Sequence, residues 1–84
     1  LKLFKNGTEL NLTSKENAMM KMFIDNVGRI FPKDIIYEMI WGENQIDENV
    51  VMVYINRLRQ KIEDDPAHPS YIQNVRGLGY KFVV

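Results

Sequence analysis

The chain has 84 residues, 45% of them apolar and 26% charged, which is enough for one globular domain and too few for two. It contains no cysteine and one histidine, so disulfides, thiol nucleophiles and cysteine-based metal sites are excluded, and we expect neither a metal site nor a cofactor. The formal net charge is zero, but residues 49–62 and 66–84 contain arginine and lysine without any acid, so the positive charge is local. No apolar run approaches the roughly 18 residues that span a bilayer, and we expect no membrane association.

A hairpin and a helix are predicted at the start of the chain. Leu1–Leu12 alternates around Asn6-Gly7, which is a strong signal for a two-residue turn. Thr13 and Glu16 have the spacing of a capping box, and this predicts a first helix that Gly28 ends. Its apolar stripe consists of Ala18, Met19, Met22 and Phe23.

Two more helices are predicted in the middle of the chain. Pro32 suits the start of the second helix, which ends at Trp41-Gly42 before an acidic loop, Glu43–Glu48. The third helix runs from about Asn49 to Glu63, where Asp64-Asp65-Pro66 breaks it. The apolar face of the second helix consists of Ile35, Ile36, Met39 and Ile40.

The third helix has two chemically distinct sides when its residues are placed at about 100° intervals. One arc is apolar and forms the core face, with Val51, Ile55, Leu58 and Ile62. The opposite side carries residue types that can hydrogen-bond base edges or touch a thymine methyl group, namely Asn49, Val53, Asn56, Arg57 and Gln60. Arg59 and Lys61 flank this side, within reach of a DNA backbone. This helical-wheel arrangement alone leaves open a second interpretation, an amphipathic helix whose polar face has no partner.

A second hairpin is predicted at the end of the chain, because two β-rich runs, Tyr71–Val75 and Tyr80–Val84, flank Gly77 and Gly79. The order of hairpin, three helices and hairpin predicts an α+β fold. Arg76 lies beside the glycine turn, where an arginine can enter a DNA minor groove. Taken alone, Arg76 also fits an ordinary surface arginine.

Five segments of the sequence resemble a known family. They are Leu12-Thr13-x-x-Glu16, Gly28-Arg29-Ile30, Trp41-Gly42, residues 53–62 (VYINRLRQKI) and residues 75–82 (VRGLGYKF). In this order they resemble the OmpR/PhoB-type output domain of bacterial two-component response regulators. The resemblance implies a winged helix-turn-helix: N-terminal antiparallel strands, a three-helix core and a C-terminal β-hairpin wing.

The resemblance also implies sequence-specific binding of double-stranded DNA, with the helix 49–63 in the major groove and the wing 75–81 at the minor groove. Arg57, Val53 and Asn56 match residues that contact the DNA there, and Arg76 matches the minor-groove arginine of the wing. The helical-wheel arrangement and the resemblance together predict base contacts by Asn49, Val53, Asn56, Arg57 and Gln60. They predict phosphate contacts by Lys33, Tyr54, Arg59, Lys61 and Asn74. The sequence departs from the family at Asn49 and Met52, where members more often carry charge.

The resemblance implies partners as well. These are DNA with direct repeats, bound by a head-to-tail homodimer, and RNA polymerase, which would face the loop residues Trp41, Gly42, Glu43, Asn44 and Gln45. A receiver domain and, through it, a sensor histidine kinase are also implied, with a cytoplasmic location. We therefore expect residues 1–84 to be one domain of a longer protein, with the receiver domain and the first strands absent.

Two other classes of function were weighed. An enzyme is disfavoured because the acids Glu43, Asp47, Glu48, Asp64 and Asp65 lie in loops beside chain breakers, with no nucleophile arranged near them. His68 lies in a loop and is predicted to be exposed and inert. A winged-helix module that binds protein is the second alternative, and the cations of residues 57–61 and 76–81 argue against it.

Overall fold

The computed structural model describes residues 2–42 and 45–84. Within them the order of elements is the predicted one: a hairpin, three helices and a second hairpin. The elements are β1 (Phe4–Lys5), β2 (Thr8–Glu9), α1 (Ser14–Ile24), α2 (Lys33–Trp41), α3 (Glu48–Ile62), β3 (Ile72–Val75) and β4 (Gly79–Phe82). The strands form two antiparallel pairs, β1 with β2 and β3 with β4. The predicted α+β class is therefore confirmed.

The local signals at the start of the chain are confirmed. Asn6 and Gly7 both have positive φ, +53° and +81°, as a tight two-residue hairpin requires. The Glu16 carboxylate accepts a hydrogen bond from the Thr13 backbone N–H at 2.8 Å, and the Glu16 N–H donates to the Thr13 hydroxyl at 3.3 Å. This reciprocal pair is the predicted capping box at the start of α1.

The predicted end of the first helix was wrong. Helix α1 ends at Ile24, and Gly28 lies in the following turn with φ of +84°. The Asn26 side-chain amide donates to the Met22 carbonyl oxygen at 2.8 Å, so one of the last helical carbonyls has a partner without a further helical turn. Gly28 provides the left-handed backbone of that turn instead of the helix cap.

Two apolar faces differ from the predicted stripes. In α1, Ala18 is exposed, while Met20 is buried beneath the N-terminal hairpin beside Leu3 and Leu10. In α2, Met39 is exposed, while Tyr37 is buried. An apolar stripe predicted from the sequence of one helix assumes that a single side of the helix is buried. Both helices pack against neighbours on more than one side, so their buried residues differ from the predicted stripe.

Helix α3 has the predicted core face. Val51, Ile55 and Leu58 are completely buried, and Ile62 is partly buried against the same core. The helix begins one residue earlier than predicted because Asp47 caps it, accepting hydrogen bonds from the N–H groups of Asn49 and Val50. It also ends one residue earlier, because Glu63 has an extended backbone.

Strands β3 and β4 form the C-terminal wing, in which Asn74 pairs with Tyr80 and Val75 with Gly79. The turn between them is closed by a hydrogen bond from the Leu78 N–H to the Val75 carbonyl at 2.9 Å. Phe31, just before α2, is bridged to Tyr80 by backbone hydrogen bonds in both directions. The wing is therefore attached to the helical core beside the start of α2.

Candidate nucleic-acid interface

The outer face of α3 is exposed over its whole length. All five residues predicted to contact bases have solvent-exposed side chains: Asn49, Val53, Asn56, Arg57 and Gln60. Met52 is also exposed on this helix. The helix therefore presents amide, guanidinium and small apolar groups together without a carboxylate among them, which is a surface that can hydrogen-bond base edges.

An aromatic cluster supports Arg57. Its guanidinium lies 5.0 Å from the centre of the Tyr54 ring, within the range of a cation–π contact. Tyr54 in turn meets Trp41 edge-on, and Trp41 stacks on Tyr37, with ring centres 5.0 and 5.1 Å apart. Among the described residues, none forms a hydrogen bond or ion pair with the Arg57 guanidinium, so its donors remain available.

The loop predicted to face RNA polymerase is described only in part. Trp41 is half-buried in the aromatic cluster, Gly42 ends α2 with φ of +66°, and Gln45 is exposed. Glu43 and Asn44 lie outside the described residues. Asp47, one of the acids considered for an enzyme, caps α3. His68 is exposed, and its Nδ1 lies 2.9 Å from Asp65 Oδ2.

Arg59 is tied to the wing. Its Nε and Nη2 donate to the Ile72 carbonyl oxygen at 3.1 and 2.7 Å, and Nη2 also donates to Asn74 Oδ1 at 2.9 Å. The guanidinium lies over the Tyr80 ring, 5.6 Å from its centre. Burial lowers the pKa of Arg59, against the raising effect of nearby Tyr80 and Glu63, and an arginine stays protonated at neutral pH.

Lys61 is tied to the start of α1. Its Nζ donates to the Glu16 carboxylate at 2.6 Å and to the Asn11 carbonyl oxygen at 2.8 Å. Burial alone would raise the pKa of Glu16, but the bonds from Lys61 and Thr13 outweigh it, and the pKa is lowered. Both flanking cations of α3 thus have intramolecular partners, which the helical wheel did not reveal.

A concave surface lies between the start of α2, the start of α3 and the wing. Lys33, Asn74 and Arg76 line it, together with Met52 and Leu78, and so do two acids, Asp34 and Glu48. Among the described residues, neither Lys33 nor Arg76 forms an ion pair, and Arg76 is exposed at the wing turn. The fold therefore brings cations predicted from separate segments, Lys33 and Arg76, to one surface.

One residue that anchors the start of the wing was missed in the sequence. Glu63 is 3% exposed, and its carboxylate accepts hydrogen bonds from the backbone N–H groups of Ser70, Tyr71 and Ile72. It closes the loop between α3 and β3. Since its partners are backbone groups, no residue type in residues 70–72 signals the contact.

No helix in residues 2–42 and 45–84 combines the length and the apolar character needed to cross a membrane. Over the same residues, no three histidine, aspartate or glutamate side chains converge in a group suited to a metal ion.

Comparison with protein families gives one family match. The profile of the family described as "Transcriptional regulatory protein, C terminal" matches residues 7–82. Among individual proteins, the chain is 44% identical over 80 residues to the uncharacterized transcriptional regulatory protein YcbL of Bacillus subtilis, covering 94% of this chain and 35% of that protein. The chain thus spans about a third of the length of the curated relatives it matches.

Solved structures share the architecture. The response regulator DrrB of Thermotoga maritima, described as an OmpR/PhoB homolog, superimposes with a TM-score of 0.91 and 32% identity over 99% of this chain and 38% of that one. The DNA-binding domain of Klebsiella pneumoniae RstA, solved in complex with the RstA box, superimposes with a TM-score of 0.85 and 27% identity over 98% of this chain and 82% of that one.

Proposed function

Since the chain belongs to the family of transcriptional regulatory protein C-terminal domains, with the winged helix-turn-helix of the OmpR/PhoB type, we propose that it binds double-stranded DNA as the output domain of a response regulator. The observation that carries the proposal is the exposed face of α3 formed by Asn49, Val53, Asn56, Arg57 and Gln60, which contains no carboxylate and in which Arg57 is held on Tyr54. This face enters the major groove, and the wing turn with Arg76 reaches the adjacent minor groove.

Arg57 is the principal base-reading residue in this proposal. Its guanidinium can pair with the edge of a guanine, and Asn49, Asn56 and Gln60 offer the amide groups that pair with adenine. Val53 is small and apolar, as a contact to a thymine methyl group requires. The cation–π contact with Tyr54 restricts the Arg57 side chain before DNA arrives, so less side-chain entropy is lost on binding.

We propose fewer phosphate contacts than the sequence alone predicts. Lys33, Tyr54 and Asn74 stay in the proposed interface, with Arg76 at the minor groove. Arg59 and Lys61 are left out of it, because three of the five Arg59 N–H donors already bond to Ile72 and Asn74, and two of the three Lys61 donors to Glu16 and Asn11. These bonds hold both side chains on the protein, and a phosphate that drew either of them toward the DNA would compete with the bonds.

The partners of the whole protein belong to the same proposal. We expect a receiver domain, phosphorylated by a sensor histidine kinase, to promote head-to-tail pairing of two copies on direct repeats in the cytoplasm. RNA polymerase would meet the segment after α2, which begins with Trp41 and Gly42 and continues to Gln45. The support for these partners is the resemblance to response regulators, in which this domain is the output half.

Selection of bound duplexes from a random DNA pool tests the proposal, followed by affinity measurements on the selected site. Arg57→Ala should cost about 1–3 kcal/mol of binding free energy and relax specificity at one base pair. Arg76→Ala should weaken binding while leaving the major-groove preference in place. Arg29→Ala, which removes an exposed arginine lying over Phe31 outside the proposed interface, is the matched control.

Two outcomes would contradict the proposal. If Arg57→Ala binds the selected site as tightly as the wild-type protein does, α3 is not the reading helix. If no duplex is enriched by the wild-type protein, with or without its phosphorylated receiver domain, the alternative of a protein-binding winged helix takes its place.

A further inference from the structure

Arg59 makes its contacts across two elements. It starts on the side of α3 and reaches the first residue and the third residue of β3, Ile72 and Asn74. Two of its nitrogens bond to one carbonyl oxygen, and its planar group lies on the Tyr80 ring. Such a side chain has little freedom, because each of these contacts restricts a different rotation of the guanidinium.

This contact determines the orientation of the Asn74 side chain. A guanidinium has only donors, so the atom of Asn74 that meets it must be the amide oxygen Oδ1. The Nδ2 group, with two N–H donors, then points the other way. Asn74 is exposed and lines the concave surface beside Arg76, and no described residue accepts a hydrogen bond from Nδ2.

We propose that Arg59 is a positioning residue that holds the Asn74 amide with its Nδ2 donors directed at a DNA phosphate beside the wing. This inference rests on the proposed function and adds a specific role within it. Arg59 thus acts on DNA through Asn74 and not through its own charge. Without Arg59, the amide can turn its oxygen toward the phosphate, an orientation in which two acceptors face each other.

A double-mutant cycle on the selected DNA site tests the coupling. Asn74→Ala should weaken binding about tenfold, as expected for loss of a hydrogen bond to a charged group. Arg59→Gln should weaken it by a smaller factor, about threefold, because the released amide keeps its donors, and Arg59→Gln should have almost no effect in the Asn74→Ala background. Arg59→Gln and Arg76→Ala share no hydrogen bond, so their effects should multiply.

The salt dependence separates positioning from direct contact. If Arg59 neutralised a phosphate itself, Arg59→Gln would reduce the slope of log K against log salt by about one, as Arg76→Gln should. We expect the slope of Arg59→Gln to stay close to that of Arg29→Gln, a variant that removes the same charge at an exposed site outside the proposed interface.

A variant that keeps the contact with Arg59 serves as a control for unfolding of the other variants. Asn74→Asp retains an acceptor for the guanidinium but has no donors, so it should remain folded and bind more weakly than Asn74→Ala. In the wild-type protein, the side-chain N–H signals of Asn74 in NMR spectra should move when DNA is added. In Arg59→Gln they should move less, while those of Asn56 on α3 move as in the wild-type protein.

The outcomes distinguish this role from the proposed function. Multiplicative effects of Arg59→Gln and Asn74→Ala, a reduced salt slope, or wild-type affinity of Asn74→Asp would each overturn the positioning role and leave DNA binding intact. Failure of the wild-type protein to bind any duplex would overturn the proposed function itself.

Discussion

Replacement of the Glu63 carboxylate by an amide should destabilise the domain strongly. Glu63 is 3% exposed, and its oxygens receive the N–H groups of Ser70, Tyr71 and Ile72 at 2.8 to 3.1 Å. In Glu63→Gln, an NH₂ group replaces one oxygen and faces N–H donors from the backbone. One or two of the hydrogen bonds are then lost, and the rest are no longer charge-assisted.

The magnitude follows from the number of bonds. A hydrogen bond to a charged group contributes about 1.5–3 kcal/mol and a neutral one about 0.5–1.5 kcal/mol. Loss of one bond and weakening of the other two gives a decrease of about 3.5–6 kcal/mol in the free energy of unfolding. For a domain of this size the midpoint of thermal unfolding should fall by at least about 10 °C.

Urea denaturation followed by circular dichroism measures this change. Asp64→Asn is the matched control, because Asp64 is adjacent in the chain but its side chain is 90% exposed and has an ion pair with Lys5 at 3.3 Å. That variant should change the unfolding free energy by less than about 1 kcal/mol. A change below about 0.5 kcal/mol for Glu63→Gln, less than one ordinary hydrogen bond, would refute the reasoning.

Two further predictions concern other contacts of the fold. Gly79→Ala should lower the unfolding free energy by about 3 kcal/mol or more, because the φ of Gly79 is +141° and a Cβ there would lie 2.1 Å from the Phe31 carbonyl oxygen. Gly77 has φ of +75° and open space around it, so Gly77→Ala should lower the unfolding free energy by only about 1–2 kcal/mol in the same urea titration. Burial would raise the pKa of Glu16, but Lys61 and Thr13 lower it in the folded protein. The ionised carboxylate therefore stabilises the fold at any pH above the pKa that Glu16 has in the unfolded chain, and this contribution is lost as the pH falls through the lower pKa of the folded state. Glu16→Gln should therefore flatten the decline of the unfolding free energy between about pH 5 and pH 3, and an unchanged pH profile would contradict the assigned ion pair.

Several features of the fold followed from residues close together in the chain. Thr13 and Glu16 are three residues apart, and Asn6 and Gly7 are adjacent, so both the capping box and the hairpin turn were predicted correctly. The core and exposed faces of α3 were also predicted, because a helix repeats every 3.6 residues whatever packs against it. The resemblance of the separate segments then indicated the family that the comparisons confirmed.

The same local patterns misjudged positions whose surroundings come from elsewhere. Met20 and Ala18 exchanged their expected environments because the N-terminal hairpin covers α1 from a second side. Gly28 was assigned to the helix end because glycine favours that position, whereas the side chain of Asn26 had already satisfied a carbonyl of the last turn. In each case the local sequence allows two outcomes, and residues from elsewhere in the fold decide between them.

The outer face of α3 was therefore readable from periodicity and side-chain chemistry alone, including the exposure of Arg57, Asn56 and Gln60. The hydrogen-bond partners of Arg59 and Lys61 could not be predicted in this way, although both residues lie on the same helix. Their partners are 13 to 50 residues away along the chain. A helical wheel gives the direction of a side chain around one axis, while the atoms that it meets are brought there by the packing of other elements. Only the tertiary structure decides that Arg59 holds the wing and that Arg57 keeps its donors available.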